Sequence, residues 1–500
     1  MKNDRTKKRS QSNTPIIPDE LIAEILILLN PKTIALFKCV SKSWNTLVSD
    51  PIFIKNHLKK SSQNPRLILT PLTSKYPISN VESFSVSRLL ENSSIIVSGD
   101  NCHGSEDTCH VVGSCNGLLC LLFHSRYKKS FYVYKKYWFC LWNPATRTKS
   151  EKLGIFKDYV NIYLSKPYKF TFGCDISTGT YKVVAISEKP VLSKQGEEED
   201  VVSWKCEVRI FSFGDNCWRK IQDCPLIPVC VMNILINRIN NGVHLNGTVN
   251  WLCLPDFLMP SYEHGWKSIT NAKQFVIVSL DLSTETYKQL LLPQGFDEVP
   301  EYQPSLHVLK DCLCFSHDFK TIEFVIWQMK EFGVQESWTQ LFRIDYYKIY
   351  HNLNFYGLTE CGIPLLPLYL STDGDTLILA NSEDDRAIIY NRRDERVERI
   401  KISNKLCWFS AMDYVESLVS TCWKSANLTP STYSVHASMV VDDDNEIGDI
   451  VGDSGAEEEG PLLSENLDDD ELSEDGEIVG GISEEEEGPL LSEDLDEDGL

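Results

Sequence analysis

Nowhere in its 500 residues does this chain run for about 18 apolar positions without interruption, which excludes a bilayer-spanning helix at the level of sequence. The N-terminus, MKNDRTKKRS, lacks the apolar core of a secretion signal, so the expected location is the cytosol or the nucleus. Lys and Arg are missing altogether from 441–500, a stretch that holds 26 of the 71 Asp and Glu. Positions 1–440 then carry 45 acids against 49 bases, so the formal net charge of −22 describes an appendage and not the body. A near-neutral body without a dense basic stripe argues against nucleic-acid binding. Also missing are the Walker phosphate loop, the Rossmann fingerprint, His-Glu-x-x-His and Gly-x-Ser-x-Gly. Nothing in the motif content supports catalysis by this chain, and no cofactor is expected.

Cysteine is present but unpatterned. The 17 residues are an odd number, scattered through the body and absent from the tail, as suits reduced thiols used as small packing groups. The sequons at Asn92, Asn246 and Asn427 then carry no weight. The best metal candidates, Cys102, His103, Cys109, His110, Cys115 and Cys120, do not form two Cys-x2-Cys pairs, and the last two belong to the strand-like SCNGLLCLL. Cys312, Cys314 and His317 alternate along a second apolar run, where packing is the simpler reading. Carboxylate pairs fall on turns and in the tail, where they read as solvated faces.

What is present changes period along the chain. In IPDELIAEILILLNPKTIALFKCVSKSWNTLVSDPIF, from position 17, Leu21, Ile22, Ile25, Leu28 and Leu29 keep helical spacing. Asp19 and Glu20 suit the first turn of that helix, and Asn30-Pro31 ends it. Pro31 suits the start of a second helix with Ile34, Ala35 and Phe37 inside. Val40, Trp44, Leu47 and Val48 mark a third, closed by Asp50-Pro51. Three helices in under forty residues cannot bury this much apolar surface among themselves. Leu21, Leu26 and Leu29 cannot all face the neighbour that Ile22 and Ile25 face, so a helical partner protein is expected to cover a second face.

From about Arg66 to Ser420 the period is two. Short runs such as YKVVAI, CEVRIFSF, FVIVSLDL and DTLILAN are separated by turn formers such as STGT, GDN, LNGT and STDGD. One unit recurs about every 40 to 50 residues: an apolar strand, a loop, an aromatic strand, a polar turn and a last strand. Five copies are clear, and a sixth is assembled from RLILT at the start and MDYVESLVS at the end of the region. The reading is a mainly β chain with a small α domain and a propeller of six to seven blades, with a bent β-sandwich as the competing architecture. The loops at 187–203 and 255–273 are the expected specificity elements. Beyond Ser425, a 28-residue duplication (GDIVGDSG… at 448, GEIVGGIS… at 476) is rich in acid and poor in apolar residues, which predicts disorder.

IPDELIAEIL…FKCVSKSWNTLVSDPIF…HL resembles the plant F-box. GSCNGLLCL, WNPATR, FGCDISTGTYKVVAI, CWRKI, GVHLNGTVNWL and SLDLSTETYKQLLLP resemble the plant F-box-associated domain of the F-box/kelch-repeat type. The resemblance covers positions 17 to about 420. It implies an F-box at 17–60 and a kelch-like β-propeller at 61–424; outside it, composition predicts a disordered basic N-terminus at 1–16 and a disordered acidic tail at 425–500, the tail being no part of the family pattern. It implies the substrate-receptor subunit of a Skp–cullin–F-box ubiquitin ligase: the F-box docks on the Skp-type adaptor and through it a cullin, and the propeller presents a target protein. Ubiquitin transfer falls to partner enzymes. The family motif places adaptor contacts at Ile17, Pro18, Leu21, Ile25, Leu26, Leu29, Pro31, Val40 and Trp44, some of which serve the internal core instead. The family usually ends helix 1 with Leu-Pro; here Asn30 stands in the proline position, and leucines occupy 28 and 36 where basic residues are common. The alternative reading is a non-degradative scaffold that uses the propeller and the acidic tail for protein interaction.

Overall fold

A computed structural model describes residues 17–71, 81–91, 99–102, 109–129, 132–161, 168–192, 201–229, 242–255, 269–352, 365–381, 386–402 and 406–422. The expectations of disorder for 1–16 and for the acidic tail fall outside them. All the described residues belong to one compact unit, Met1–Thr429.

Four helices open the chain: α1 (Asp19–Leu26), α2 (Pro31–Phe37), α3 (Lys42–Ser49) and α4 (Pro51–Ser61). The sequence predicts three, with Asp50-Pro51 as a stop. Asp50 is instead the N-cap of α4, its Oδ1 accepting from the amides of Ile52 (2.8 Å) and Phe53 (3.1 Å), and Pro51 takes the first helical position, where a missing N–H costs nothing. Asn30 does the same for α2: its Oδ1 accepts from the Thr33 amide (2.8 Å) and hydroxyl (2.9 Å), with Pro31 at the first turn. The late proline is therefore part of a capped start, and each such cap is worth about 1 kcal/mol. Ser41 caps α3 through the Trp44 amide. His57, buried on α4, donates from Nε2 to the Leu29 carbonyl at 2.9 Å and pins α4 to the end of α1.

Six antiparallel sheets follow, as the repeat predicts, and the count is six. Blade II comprises Cys109–Cys115, Leu118–Lys129, Tyr132–Asn143 and Thr148–Lys149, with Leu153–Asn161 continuing its outer edge. Blade III comprises Lys169–Asp175, Thr180–Leu192, Val201–Ser212 and Cys217–Lys220. Blade IV has Val243–Leu245, Thr248–Leu254, Val276–Asp281 and Tyr287–Leu290, with Ile227–Pro228 on its inner edge. Blade V has Ser305–Leu309, Cys312–Phe319, Glu323–Met329 and Trp338–Asp345. Blade VI has Leu365–Leu370, Thr376–Asn381, Arg386–Asn391 and Arg396–Arg399. Blade I joins Arg66–Pro71, Val81–Ser85 and Asp100–Cys102 to an innermost strand from the far end of the chain, Leu406–Tyr414, in register Arg66↔Tyr414 and Ile68↔Met412. The innermost strand of every blade touches the innermost strand of the next, from blade I round to blade VI and back, which closes the ring.

Alternation of side chains builds the core. In Arg66–Pro71, Leu67 and Leu69 pack toward blade VI with Ile378, Ala380 and Trp408, while Ile68 packs toward blade II with Leu119, Leu121 and Phe123. Between blades II and III the filling is aromatic: Phe139 meets Phe170 edge-on at 5.4 Å, and Phe211 meets Trp218 at 5.4 Å. The Asn-Gly pairs at 116–117 and 246–247 turn the first hairpins of blades II and IV with both residues at positive φ, the conformation that matches strand twist.

Candidate functional site

Two surfaces on opposite ends of the molecule bear on function. The first is the helical segment. Its interior is Leu26, Ile34, Val48 and Phe53, with Ile22, Leu29, Phe37, Trp44 and Leu47 packed around them. Phe37 and Trp44 meet edge-on at 5.3 Å. The sequence reading merges two stripes of α1 that the structure separates. Ile22, Leu26 and Leu29 turn inward at i, i+4 and i+7, while Leu21, Ile25 and Leu28 keep the same spacing on the outside.

Of the nine residues assigned to adaptor contact, Ile17, Pro18, Leu21, Ile25 and Val40 are exposed and Leu29 and Trp44 half-buried; Leu26 and Pro31 are buried in the helical core. The exposed set also takes in Leu28, Leu36 and Ile52, at 68%, 71% and 70% exposure. The signal for the first two was in the sequence, as leucines where the family commonly has basic residues; for Ile52 it was hidden by reading Pro51 as a stop. Seven of the fifteen exposed large apolar residues among those described fall between 17 and 61. Leaving one such side chain in water forgoes about 1.5–3 kcal/mol of burial, so this concentration marks a surface kept for a partner.

The second surface follows from topology. Gly117, in the first hairpin turn of blade II, and Asn143, at the end of its third strand, lie at one end of the propeller. There Asn143 Nδ2 donates to the carbonyls of Ser417 (3.1 Å) and Val419 (2.8 Å), and Leu418 between them enters the helical core. The helices therefore sit at that end. At the other end lie the turns between second and third strands, and there blades II and III stand proud. Their second and third strands run 12 or 13 residues, against 5 to 8 in the other blades. Much of the loop expected at 187–203 is in fact strand, because Ser187↔Glu207, Lys189↔Lys205 and Pro190↔Trp204 extend the pairing; 193–200 and 256–268 lie outside the described residues.

Where the two tall blades meet, charge and aromatic rings interleave. Glu207 accepts from Tyr168 Oη (2.7 Å) and Arg209 Nε (2.8 Å), with Lys220 and Lys189 Nζ at 3.3 and 3.6 Å. Burial opposes its charge, but the hydrogen bonds from Arg209 and Tyr168 and the charge of Lys189 hold its carboxyl down to about 2. Asp158 on the facing blade is pushed up by burial against the pull of Lys189, Lys135 and Arg209. Lys189 lies over Tyr168 at 5.8 Å and Arg209 over Phe156 at 5.5 Å. Beside them His110 stacks on His124, and burial together with that neighbour lowers His110 to about 4.

Among the described residues no three His, Cys, Asp or Glu gather as a metal site. Cys115 and Cys120 lie in the blade II core and Cys314 in that of blade V, where burial pushes its thiol up to about 12. His317 faces the other side of the Cys314 strand, against Phe296 and Phe315 of the core between blades IV and V, and takes a hydrogen bond from Trp327 Nε1 at 3.2 Å. His103 lies outside the described residues. Among those described, no helix is long and apolar enough to cross a membrane.

A four-helix segment ahead of a six-bladed propeller is the architecture, and the comparisons name its family. Residues 15–56 match the F-box domain, and residues 73–421 match the F-box associated beta propeller domain. The chain belongs to this family of F-box proteins. It is 28% identical over 379 residues to an F-box/kelch-repeat protein of Arabidopsis thaliana, covering 73% of this chain and 85% of that protein. It is 24% identical over 412 residues to the F-box protein CPR1 of the same plant, covering 81% and 89%. Among solved structures, the NanB sialidase of Streptococcus pneumoniae aligns with a TM-score of 0.33 at 10% identity over 65% of this chain and 67% of that one.

Proposed function

We propose that this protein is the substrate-recognition subunit of a Skp–cullin–F-box ubiquitin ligase, with a Skp-type adaptor docked on its helices and a target protein held on its propeller. The observation that carries the reading is the double stripe of exposed apolar residues on a segment whose own core is already filled. Ile17, Pro18, Leu21, Ile25 and Leu28 form one stripe, and Leu36 and Val40 form another. Leu29 and Trp44 contribute their exposed edges, and Leu26 and Pro31 act from beneath by fixing the helices. A partner's apolar helices covering these stripes would recover the forgone burial, less the cost of association.

The target belongs at the far end, on the tall hairpins of blades II and III, where cations and aromatic rings sit above a rigid base. In this reading the chain performs no bond-making step. It holds one protein near enzymes delivered by the adaptor and its cullin. Titration with a purified plant Skp-type adaptor tests it: binding by the wild type, lost on joint Leu21→Asp and Ile25→Asp with unfolding unchanged, is expected. No binding by the wild type, or full binding by the double variant, would overturn it.

A further inference from the structure

The helical core is not completed by the helical segment. Its fifth buried residue is Leu418, some 365 positions after Phe53 and 4% exposed, packed with Leu26, Ile34, Val48 and Phe53. Leu418 follows by four residues the end of Leu406–Tyr414, the strand that closes the propeller as the innermost element of blade I. The segment that carries it is fastened on both sides. Asn143, fully buried, donates to the carbonyls of Ser417 and Val419, and its Oδ1 is held by the amides of Ala145 (3.0 Å) and Thr146 (3.2 Å). Val419 packs against the core shared by blades II and III. Gly117, at φ +78°, lies so close to Ser417 and Val415 that any β-carbon there would collide with them. Arg66, which starts blade I's first-entered strand just after α4, faces Glu416 at 3.9 Å.

We infer that Val415–Thr421 is a clasp that makes adaptor docking conditional on a closed propeller. Leu418 can reach the helical core only after Leu406–Tyr414 has paired with Arg66–Pro71 and the following residues have seated on Gly117 and Asn143. A chain with an open ring leaves a gap under α1, α2 and α3, and the outward stripes of Leu21, Ile25, Leu36 and Val40 lose the base that holds them in register. The clasp couples completion of the target-binding part to competence of the docking part, and it fixes the direction in which the target end points away from the adaptor. The coupling to docking rests on the ligase reading above; the coupling between propeller and helical core does not.

The test uses the full chain and two readouts. Hydrogen exchange of the amides in 19–49 reports the helical core without any partner, and titration with a Skp-type adaptor reports docking. Leu418→Asp is expected to speed exchange across 19–49 by about tenfold or more, to leave the amides of Leu118–Lys129 and Thr376–Asn381 unchanged, and to weaken adaptor binding by a similar factor. Leu418→Ile is expected to restore both. Should Leu418→Asp disturb the blades as well, Leu418→Ala carries the same comparison with a smaller gap. Exchange in 19–49 within twofold of wild type for Leu418→Ala and Leu418→Asp would overturn the clasp. Faster exchange with undiminished adaptor binding would overturn the conditional docking. If the wild type itself binds no adaptor, the ligase reading falls, while the exchange data still decide whether Leu418 completes the core.

Discussion

Asn30 shows how a single residue can read as a defect in one frame and as a signal in another. Against the family pattern it displaces a proline; in the structure it caps α2 with two hydrogen bonds and lets Pro31 serve as the first helical residue. The residue was legible as a helix stop, and its capping role needed the geometry of Thr33. His307 is the opposite case. Nothing in SLHVL distinguishes it, yet it is buried on the innermost strand of blade V with neither ring nitrogen hydrogen-bonded among the described residues, and burial lowers its pKa to about 3. The unfolded imidazole takes a proton near pH 6.5, and the folded one resists until about 3. Its contribution to stability is therefore complete above pH 6.5 and is lost as pH falls through that window, by about 1.4 kcal/mol per pH unit. Replacing it with leucine should flatten the fall in stability between pH 6.5 and 5 and should not reduce stability at pH 7.5, since two unsatisfied nitrogens go with it. Urea unfolding of both proteins across that range checks this, and parallel curves would refute it.

Among elements, α1 is the most instructive. Its apolar residues are so dense that periodicity alone admits two stripes and cannot say which is inside. The structure decides by what is available to pack: Ile34, Val48, Phe53 and Leu418 stand on the side of Leu26, and nothing described stands on the side of Leu28. Leu26→Ala should therefore cost about 2–5 kcal/mol of stability, as core truncations do, whereas Leu28→Ala should change stability by no more than about 0.5 kcal/mol. Denaturant midpoints of the two variants separate the cases. Equal losses would mean that the stripes have been assigned to the wrong faces. The blades were far easier to read. Asn-Gly turns and alternating apolar strands mark them, and in blades II, IV and VI the third strand ends on Asn143, Asp281 and Asn391, each accepting an amide two residues on.

Across the whole molecule, the ring is closed by a strand drawn from the end of the described chain. Leu406–Tyr414 covers the inner edge of Arg66–Pro71 and buries Cys407 and Trp408 against Leu67 and Leu69. Truncation after Asn404 should leave that edge bare, abolish cooperative thermal unfolding and promote association between chains. Truncation after Trp423 should preserve the wild-type transition. Circular dichroism melts and size-exclusion profiles of the two truncations test this, and a cooperative melt from the shorter chain would show that closure does not hold the ring. The tall blades II and III and the helices lie at opposite ends because of strand parity: turns after odd strands fall on one side and turns after even strands on the other.

The order of parts, a β-repeat of six to seven units and the surplus of apolar residues on the helices can all be read from the chain without its fold. These are local or periodic properties, and period two against period 3.6 is written into consecutive residues. Folding settled which stripe of α1 faces out, that Pro51 begins a helix, that the blades number six and close through Leu406–Tyr414, that 187–192 and 201–203 are strand and that Leu418 fills the helical core. Each of these depends on what a side chain or backbone edge meets after the chain has come back on itself. A contact between Phe53 and Leu418 leaves no trace in the spacing of either neighbourhood.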